Sequence, residues 1–142
     1  HGADVNIRNG VACSAFLFAA RRADGLVLLR LLAERGADVL AADASLSNAL
    51  HAACSGQSGL SSVRFLLSVG LPVNGRSGQD FGAYSPLMLA VRNDAPDADV
   101  IRLLLQHGAD PSLRDLDGKR AGDELSVERI IWLKQNGLAE IL

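Results

Sequence analysis

The chain has 142 residues, 49% of them hydrophobic and 4% aromatic, and its formal net charge is −2 at pH 7. The apolar fraction is too high and the net charge too low for an intrinsically disordered chain. A charge so close to zero also excludes the concentrated basic surface of a non-specific nucleic-acid binder, so we expect no nucleic-acid partner. The 21 alanines and 24 leucines favour close helix–helix packing over a β-sandwich.

No part of the sequence predicts a membrane segment. The longest uncharged apolar stretch runs only from Val11 to Ala20, whereas a spanning helix needs about 20 residues. The first residues lack the pattern of a signal peptide. Two cysteines, Cys13 and Cys54, are too few for a disulfide scaffold. We therefore expect an intracellular location, cytoplasmic or nuclear, without membrane contact.

The predicted elements follow one another with a period of about 34 residues. Gly-Ala-Asp occurs at 2–4, 36–38 and 108–110, with a divergent Gly70-Leu71-Pro72 between them. Each glycine after the first ends an amphipathic helix and fits a left-handed C-cap, and a shorter helix precedes that helix. In chain order, the sequence predicts a hairpin end at 1–8 and helices at 14–22, 26–36, 48–55, 60–70, 85–93, 98–108 and 127–137.

This succession of hairpin, short helix, long helix and Gly-Ala-Asp resembles the ankyrin repeat. Residues 80–90 best match the family pattern D-x-x-G-x-T-P-L-H-x-A, residues 48–53 keep its Leu-His pair, and residues 2–6 read GADVN. The resemblance implies an all-α ankyrin-repeat solenoid in a single domain, residues 1–142. Its units are a partial repeat end (1–8), repeat 1 (9–41), repeat 2 (43–75), repeat 3 (80–112) and a truncated C-terminal cap (115–142).

The chain departs from the family pattern in three places. About three extra residues between Asn74 and Asp80 are predicted to lengthen the hairpin before repeat 3. The last unit has lost about four residues of its first helix, where residues 122–124 replace the apolar run, so we expect it to close the solenoid. The chain also opens inside a repeat, and we expect it to be a piece of a larger protein.

Side chains that could carry out catalysis are sparse. His1 and His107 precede capping glycines, where a basic group complements the helix C-terminus. His51 stands at the family's Leu-His position, and the resemblance implies that it bridges neighbouring hairpin backbones. No Cys-x-x-Cys or His-x-x-x-His spacing exists, so we expect no metal, no cofactor and no enzymatic activity.

The resemblance implies a non-catalytic protein–protein interaction module or scaffold. Partners of ankyrin proteins usually meet the hairpin tips and the concave face of the first helices. Tyr and Arg are frequent energetic anchors of interfaces, and the arginines suit an acidic segment of the partner. Carried over position by position, the candidate partner-binding residues are Phe81, Tyr84, Arg92, Asn93, Arg21, Arg22, Ser45, Ser55, Leu116 and Lys119.

Several alternatives stay open at this point. Phe81 could instead fold back under the lengthened hairpin. The chain could serve as a regulatory or targeting domain of a larger multidomain enzyme whose catalytic part lies elsewhere. The resemblance also marks Asn6 and Asn74 as positions that are hydroxylated in some ankyrin proteins. As an isolated domain, the chain is expected to be a monomer.

Overall fold

The computed structural model describes residues 2–142; His1, and the expectation made for it, lie outside the described residues. Within that range the chain forms seven α-helices and no β-strand, which confirms the predicted all-α class. Two single-turn 3-10 helices span Gln79–Phe81 and Ala139–Ile141. The α-helices are α1 (Ala15–Ala20), α2 (Leu26–Glu34), α3 (Ala49–Ser55), α4 (Leu60–Ser68), α5 (Pro86–Arg92), α6 (Ala98–Gln106) and α7 (Val127–Gln135).

The helices begin and end where the sequence chemistry predicts. Side-chain oxygens of Ser14, Asn48 and Ser85 each accept hydrogen bonds from N–H groups in the first turn of the following helix. These bonds satisfy donors that have no partner within the helix. After the long helices, Gly36 and Gly108 have φ angles of +85° and +84°, the left-handed conformation that a side chain would disfavour.

The repeats stack side by side into one continuous core. The short helices pack in the order α1, α3, α5, and the long helices in the order α2, α4, α6. Leu32, Leu66 and Leu104, at the same position of successive long helices, are half-buried in the first of them and buried in the other two. In the cap, residues 120–124 form a turn instead of a first helix, and α7 with the turn after it closes the core through Leu133.

Four hairpins join these units: hairpin 1 (2–14), hairpin 2 (36–48), hairpin 3 (70–85) and hairpin 4 (108–121). An asparagine fastens hairpin 1 to hairpin 2, because the Asn6 amide donates to the Gly36 carbonyl (3.1 Å) and accepts from the Asp38 N–H (2.7 Å). Asn74 makes the same two bonds from hairpin 3 to hairpin 4, to Gly108 and Asp110, at 2.9 Å each.

Hairpins 2 and 3 lack this fastening. The position of the asparagine is occupied by Leu40, whose side chain is exposed. The position that would donate the N–H is Pro72, which has none. The two asparagine hydrogen bonds are therefore absent between hairpins 2 and 3. They are present between hairpins 1 and 2 and between hairpins 3 and 4.

The turn of hairpin 3 differs from its sequence prediction. In hairpins 2 and 4, Asp43 and Asp115 stand seven residues after the capping glycine and accept N–H bonds across the turn. In hairpin 3 the residue at that spacing is Ser77, which accepts from the Tyr84 N–H at 2.9 Å, whereas the sequence motif placed Asp80 there. The extra residues therefore lie within the turn, between Ser77 and Tyr84, and not between Asn74 and Ser77.

Candidate functional site

The hairpin tips form a continuous row along one edge of the solenoid. Each tip receives one backbone hydrogen bond from the next. The donors and acceptors are Ala44 N to Val11 O (3.1 Å), Gly78 N to Ser45 O (2.7 Å) and Leu116 N to Gly82 O (3.0 Å). The tips therefore present their side chains in a fixed order along one edge of the solenoid.

Cleft A is a groove of about 220 Å³ between the tips of hairpins 2 and 3 and the side of α3. It brings together five of the ten predicted residues: Arg21 from repeat 1, Ser45 and Ser55 from repeat 2, and Phe81 and Tyr84 from repeat 3. Stacking of the repeats thus collects candidate residues that are far apart in the sequence. Binding of a partner in cleft A remains a prediction.

Arg21 and Phe81 are the most available side chains of cleft A. Arg21 is exposed and makes no ion pair or side-chain hydrogen bond with any residue of the described chain, 2–142. Phe81 is 55% exposed and lies on the 3-10 turn Gln79–Phe81, which is part of the lengthened hairpin 3. The structure thus shows a free cation and an exposed aromatic ring lining the same groove.

The ring of Tyr84 separates cleft A from a second groove. It lies against the backbone of Gly82, where a Cβ would be 2.4 Å from the ring, and Gly82 has a φ of +90°. The Arg92 guanidinium is 5.5 Å from the ring centroid. Tyr84 is half-buried and close to both groups, so its ring serves the fold as well as the groove surface.

His51 fixes the floor of cleft A. Its Nε2 lies 3.1 Å from the carbonyl oxygens of both Gly75 and Tyr84, so this nitrogen carries the hydrogen and donates it. The bridge between hairpins is the one that the family resemblance implies. Burial lowers the pKa of the His51 imidazole, and hydrogen bonds to the two carbonyls only partly oppose that effect.

Arg92, a predicted partner-binding residue, is already engaged within the fold. Its guanidinium donates to the Asp115 carboxylate at 2.8 Å and to the Arg120 carbonyl at 2.9 Å, which joins repeat 3 to the cap. Burial by itself raises the pKa of Asp115, whose side chain is 3% exposed. Hydrogen bonds from Arg92 and from the backbone N–H groups of Lys119 and Asp117 outweigh burial and hold that pKa below its ordinary value.

Asn93 and Arg22 also have intramolecular partners. The Asn93 amide donates to the carbonyls of Cys54 (3.0 Å) and Gly56 (2.8 Å), which fastens repeat 3 to the end of α3. Arg22 forms an exposed ion pair with Asp24 at 3.0 Å. Neither residue lines cleft A or the groove beyond Tyr84.

Cleft B, the groove of about 280 Å³ beyond Tyr84, is mostly acidic. Lys119 lines it and forms an ion pair with Glu124, while Leu116 is exposed on the neighbouring tip. The candidate residues named from the sequence include none of the carboxylates of this groove. The signal that could have found them is the run of acidic residues through the cap. The carboxylates lining cleft B are Asp115, Asp117, Asp123 and Glu124.

Residues 16–115 match the protein-family model for ankyrin repeats, in three copies. That segment runs from the first turn of α1 to the ion-paired Asp115. No curated protein matches the chain. Among residues 2–142, no helix has the length and apolar character needed to cross a membrane, and no group of three or more His, Cys, Asp or Glu side chains is arranged to hold a metal ion.

Proposed function

Because the chain belongs to the ankyrin-repeat family, whose members are generally protein-interaction modules, we propose that it binds a protein partner in cleft A. The observation that carries this proposal is the presence of an unengaged Arg21 and an exposed Phe81 in the same groove. As a regulatory or targeting domain of a larger enzyme, the same module would use the same groove.

Two side chains of opposite charge line cleft A: the Asp43 carboxylate already accepts hydrogen bonds from Ser45 and Ser47, whereas Arg21 is unengaged. The groove therefore suits an acidic segment of the partner that also carries an apolar side chain. A guanidinium without an internal partner can form two parallel hydrogen bonds to a carboxylate. An aromatic ring held on a short, hydrogen-bonded turn loses little conformational entropy when it is covered. Arg21 then selects the charge of the partner, and Phe81 supplies most of the buried apolar area.

We expect cleft A to bind its partner and not to act as a catalytic site. His51 shares it with Ser45, Ser47 and Ser55, a combination that could otherwise serve nucleophilic chemistry. A general base must have an acceptor nitrogen within reach of the hydroxyl proton. The Nε2 of His51 instead donates its hydrogen to two carbonyl oxygens. This arrangement supports a binding role for cleft A.

The state of the cysteines supports an intracellular location. Cys13 and Cys54 are both free thiols. Burial raises the pKa of the Cys54 thiol to about 12, so this side chain stays protonated and unreactive at neutral pH. A fold that needs no disulfide bond is compatible with the reducing cytoplasm or nucleus, where we propose that binding takes place.

The proposal is tested by selecting ligands from a random twelve-residue peptide library on the purified chain. We expect selected peptides to be enriched in Asp or Glu together with a large apolar residue. Their affinity should fall about tenfold for Arg21→Ala and about thirtyfold for Phe81→Ala in isothermal titration calorimetry.

The matched control is Arg22→Ala, which removes the neighbouring arginine that does not line cleft A. Peptides should bind this variant as they bind the unaltered chain. If they also bind Arg21→Ala and Phe81→Ala with unchanged affinity, cleft A is not the binding site.

A further inference from the structure

The tip of each hairpin carries a large apolar side chain that is more than half exposed. We call these four side chains the tip row; they are Val11, Leu46, Phe81 and Leu116. The backbone bonds between consecutive tips keep them in this order along one edge of the solenoid. Single exposed apolar residues are ordinary at a protein surface, but an aligned series of them is typical of an interaction site.

Leu46 is the member of the tip row that the backbone least favours. Its φ angle is +57°, in the left-handed region where a bulky side chain is an outlier and glycine meets no steric penalty. The equivalent residue of hairpin 4 is Gly118, with a φ of +77°. The two positions correspond because the N–H of Leu46 donates to the Asp43 carbonyl and that of Gly118 to the Asp115 carbonyl, both at 3.0 Å.

Burial does not compensate Leu46 for this conformation, because the residue is 63% exposed. Its side chain lies beside Gly78 of hairpin 3, where a Cβ would be 3.5 Å from Leu46 Cδ1. Its chain neighbours Ser45 and Ser47 line cleft A. A strained residue that the core does not need is expected at a functional position. Leu46 therefore has the features of a binding residue at the edge of cleft A.

The spacing of the tip row distinguishes a helical partner from an extended one. Successive tips are separated by about 8–10 Å, the distance at which stacked helices such as α1, α3 and α5 pack. Residues seven apart in an α-helix lie on one face, separated by about 10.5 Å. Side chains on one face of an extended strand recur at about 6.6 Å and then about 13 Å, which fall on either side of the tip spacing.

We propose that the tip row receives the apolar face of an amphipathic partner helix, in which residues seven apart contact Leu46 and Phe81. This proposal rests on the proposed function, since the same helix would direct acidic residues of its flank toward the unengaged Arg21 of cleft A. A helix that contacts all four tips spans about 30 Å, or about 20 residues.

A second copy of the chain does not supply such a helix. The longest helices within residues 2–142 have nine residues and rise about 14 Å, which is enough for two tips only. The occupant is therefore a helix longer than any in the described part of the chain.

The test selects ligands on the purified chain from a library of random peptides of about 20 residues, long enough to cover the row. We expect selected peptides to carry large apolar residues at a spacing of seven, with Asp or Glu beside them. Their circular dichroism should become more helical when the chain is added.

Leu46→Gly separates binding from stability because its two expected effects have opposite signs. It should weaken binding of the selected peptides about tenfold in isothermal titration calorimetry. The melting temperature should stay the same or rise, since glycine relieves the left-handed backbone. Leu46→Ala keeps a Cβ and thus a restricted backbone, and it should weaken binding to the same extent.

Ala12→Gly is the matched control. Ala12 occupies the equivalent position of hairpin 1, with a φ of +56° and an N–H that donates to the Asn9 carbonyl at 2.9 Å, but it has no large side chain. This variant should also melt no lower than the unaltered chain, and it should bind the selected peptides with unchanged affinity.

Several outcomes would overturn the proposal. Selected peptides that lack the spacing of seven, or that gain no helicity when bound, would indicate an extended partner. A lower melting temperature of Leu46→Gly would show that the leucine serves the fold, and unchanged affinity would show that it does not contact the partner. These outcomes leave the proposed function in place if Arg21→Ala and Phe81→Ala still weaken binding; if those variants bind normally, the proposed function itself fails.

Discussion

Clefts A and B lie on either side of one tyrosine ring, yet they use their cations in opposite ways. In cleft A, Arg21 has no partner in the described chain. In cleft B, Arg92 and Lys119 are each paired with a carboxylate. An arginine at a family binding position therefore indicates where the side chain lies but not whether it is free to contact a partner. Its availability depends on whether the following unit supplies an acceptor.

The largest effect should come from Arg92→Ala, which tests whether cleft B is structural. The substitution leaves the buried Asp115 carboxylate without its cation, and we expect it to lower the free energy of unfolding by about 2–4 kcal/mol in urea denaturation. Arg21→Ala is the matched control and should leave stability unchanged. Equal stabilities for both variants would remove the distinction between the clefts.

Gly82→Ala should weaken the boundary between the clefts. The added Cβ would meet the Tyr84 ring in a backbone conformation that disfavours a side chain, so we expect a loss of about 1–2 kcal/mol in thermal unfolding. Displacement of the ring should also quench or shift the fluorescence of Tyr84, the only tyrosine of the chain, measured in a Trp132→Phe background so that no tryptophan emission covers it. An unaltered spectrum and stability would show that the ring does not depend on Gly82.

Acid should destabilise the two clefts in different pH ranges. The pKa of His51 is lowered in the folded state, so its contribution to stability is complete above about pH 6.5 and decreases as the pH falls below that value. The pKa of Asp115 is also lowered, and its contribution is complete above about pH 4 and decreases below it.

Urea titrations between pH 8 and pH 3 separate these ranges. In His51→Gln the loss of stability between pH 7 and pH 5 should disappear, while the loss below pH 4 remains. If this variant keeps the full decrease between pH 7 and pH 5, another group is responsible for it.

The smallest effect should come from Lys119→Ala. Its ion pair with Glu124 also lines cleft B, but both side chains are exposed, and exposed pairs contribute little. We expect no measurable change in melting temperature. A decrease comparable to that of Arg92→Ala would mean that burial is not what distinguishes the two pairs.

The sequence was sufficient to predict the repeat architecture, because each helix boundary has a local cause. Ser85 and Pro86 start α5, and glycines such as Gly36 end the long helices. The turn of hairpin 3 differs from its prediction because residue type and spacing point to different residues there. Asp80 fits the family motif, but Ser77 stands seven residues after Gly70, and hydrogen bonding across the turn follows that spacing.

The sequence is sufficient to predict which candidate residues lie near one another, but not which of them are already bound to other groups of the chain. Repeat stacking brings Arg21, Ser55 and Tyr84 into one groove, as alignment of the repeats predicts. The engagement of Arg92 and Asn93 depends on acceptors that stacking places beside them. One of these acceptors is the backbone carbonyl of Cys54, and a backbone carbonyl has no signature in the sequence.

Leu40 stands where the neighbouring hairpins have an asparagine, and Pro72 stands where they have the residue whose N–H donates to it. This difference affects how firmly the hairpins are held together. Hairpins 2 and 3 are the two walls of cleft A, and they remain linked by the His51 bridge and one bond between Gly78 and Ser45. Within residues 2–142, hairpins 1 and 2, like hairpins 3 and 4, are joined directly by four hydrogen bonds, one of them from an arginine side chain (Arg8 or Arg76). Because the walls of cleft A have only one direct bond and the two bonds of His51, they form the most compliant joint in the row of tips. Cleft A can therefore widen for an incoming side chain without bending the rest of the solenoid.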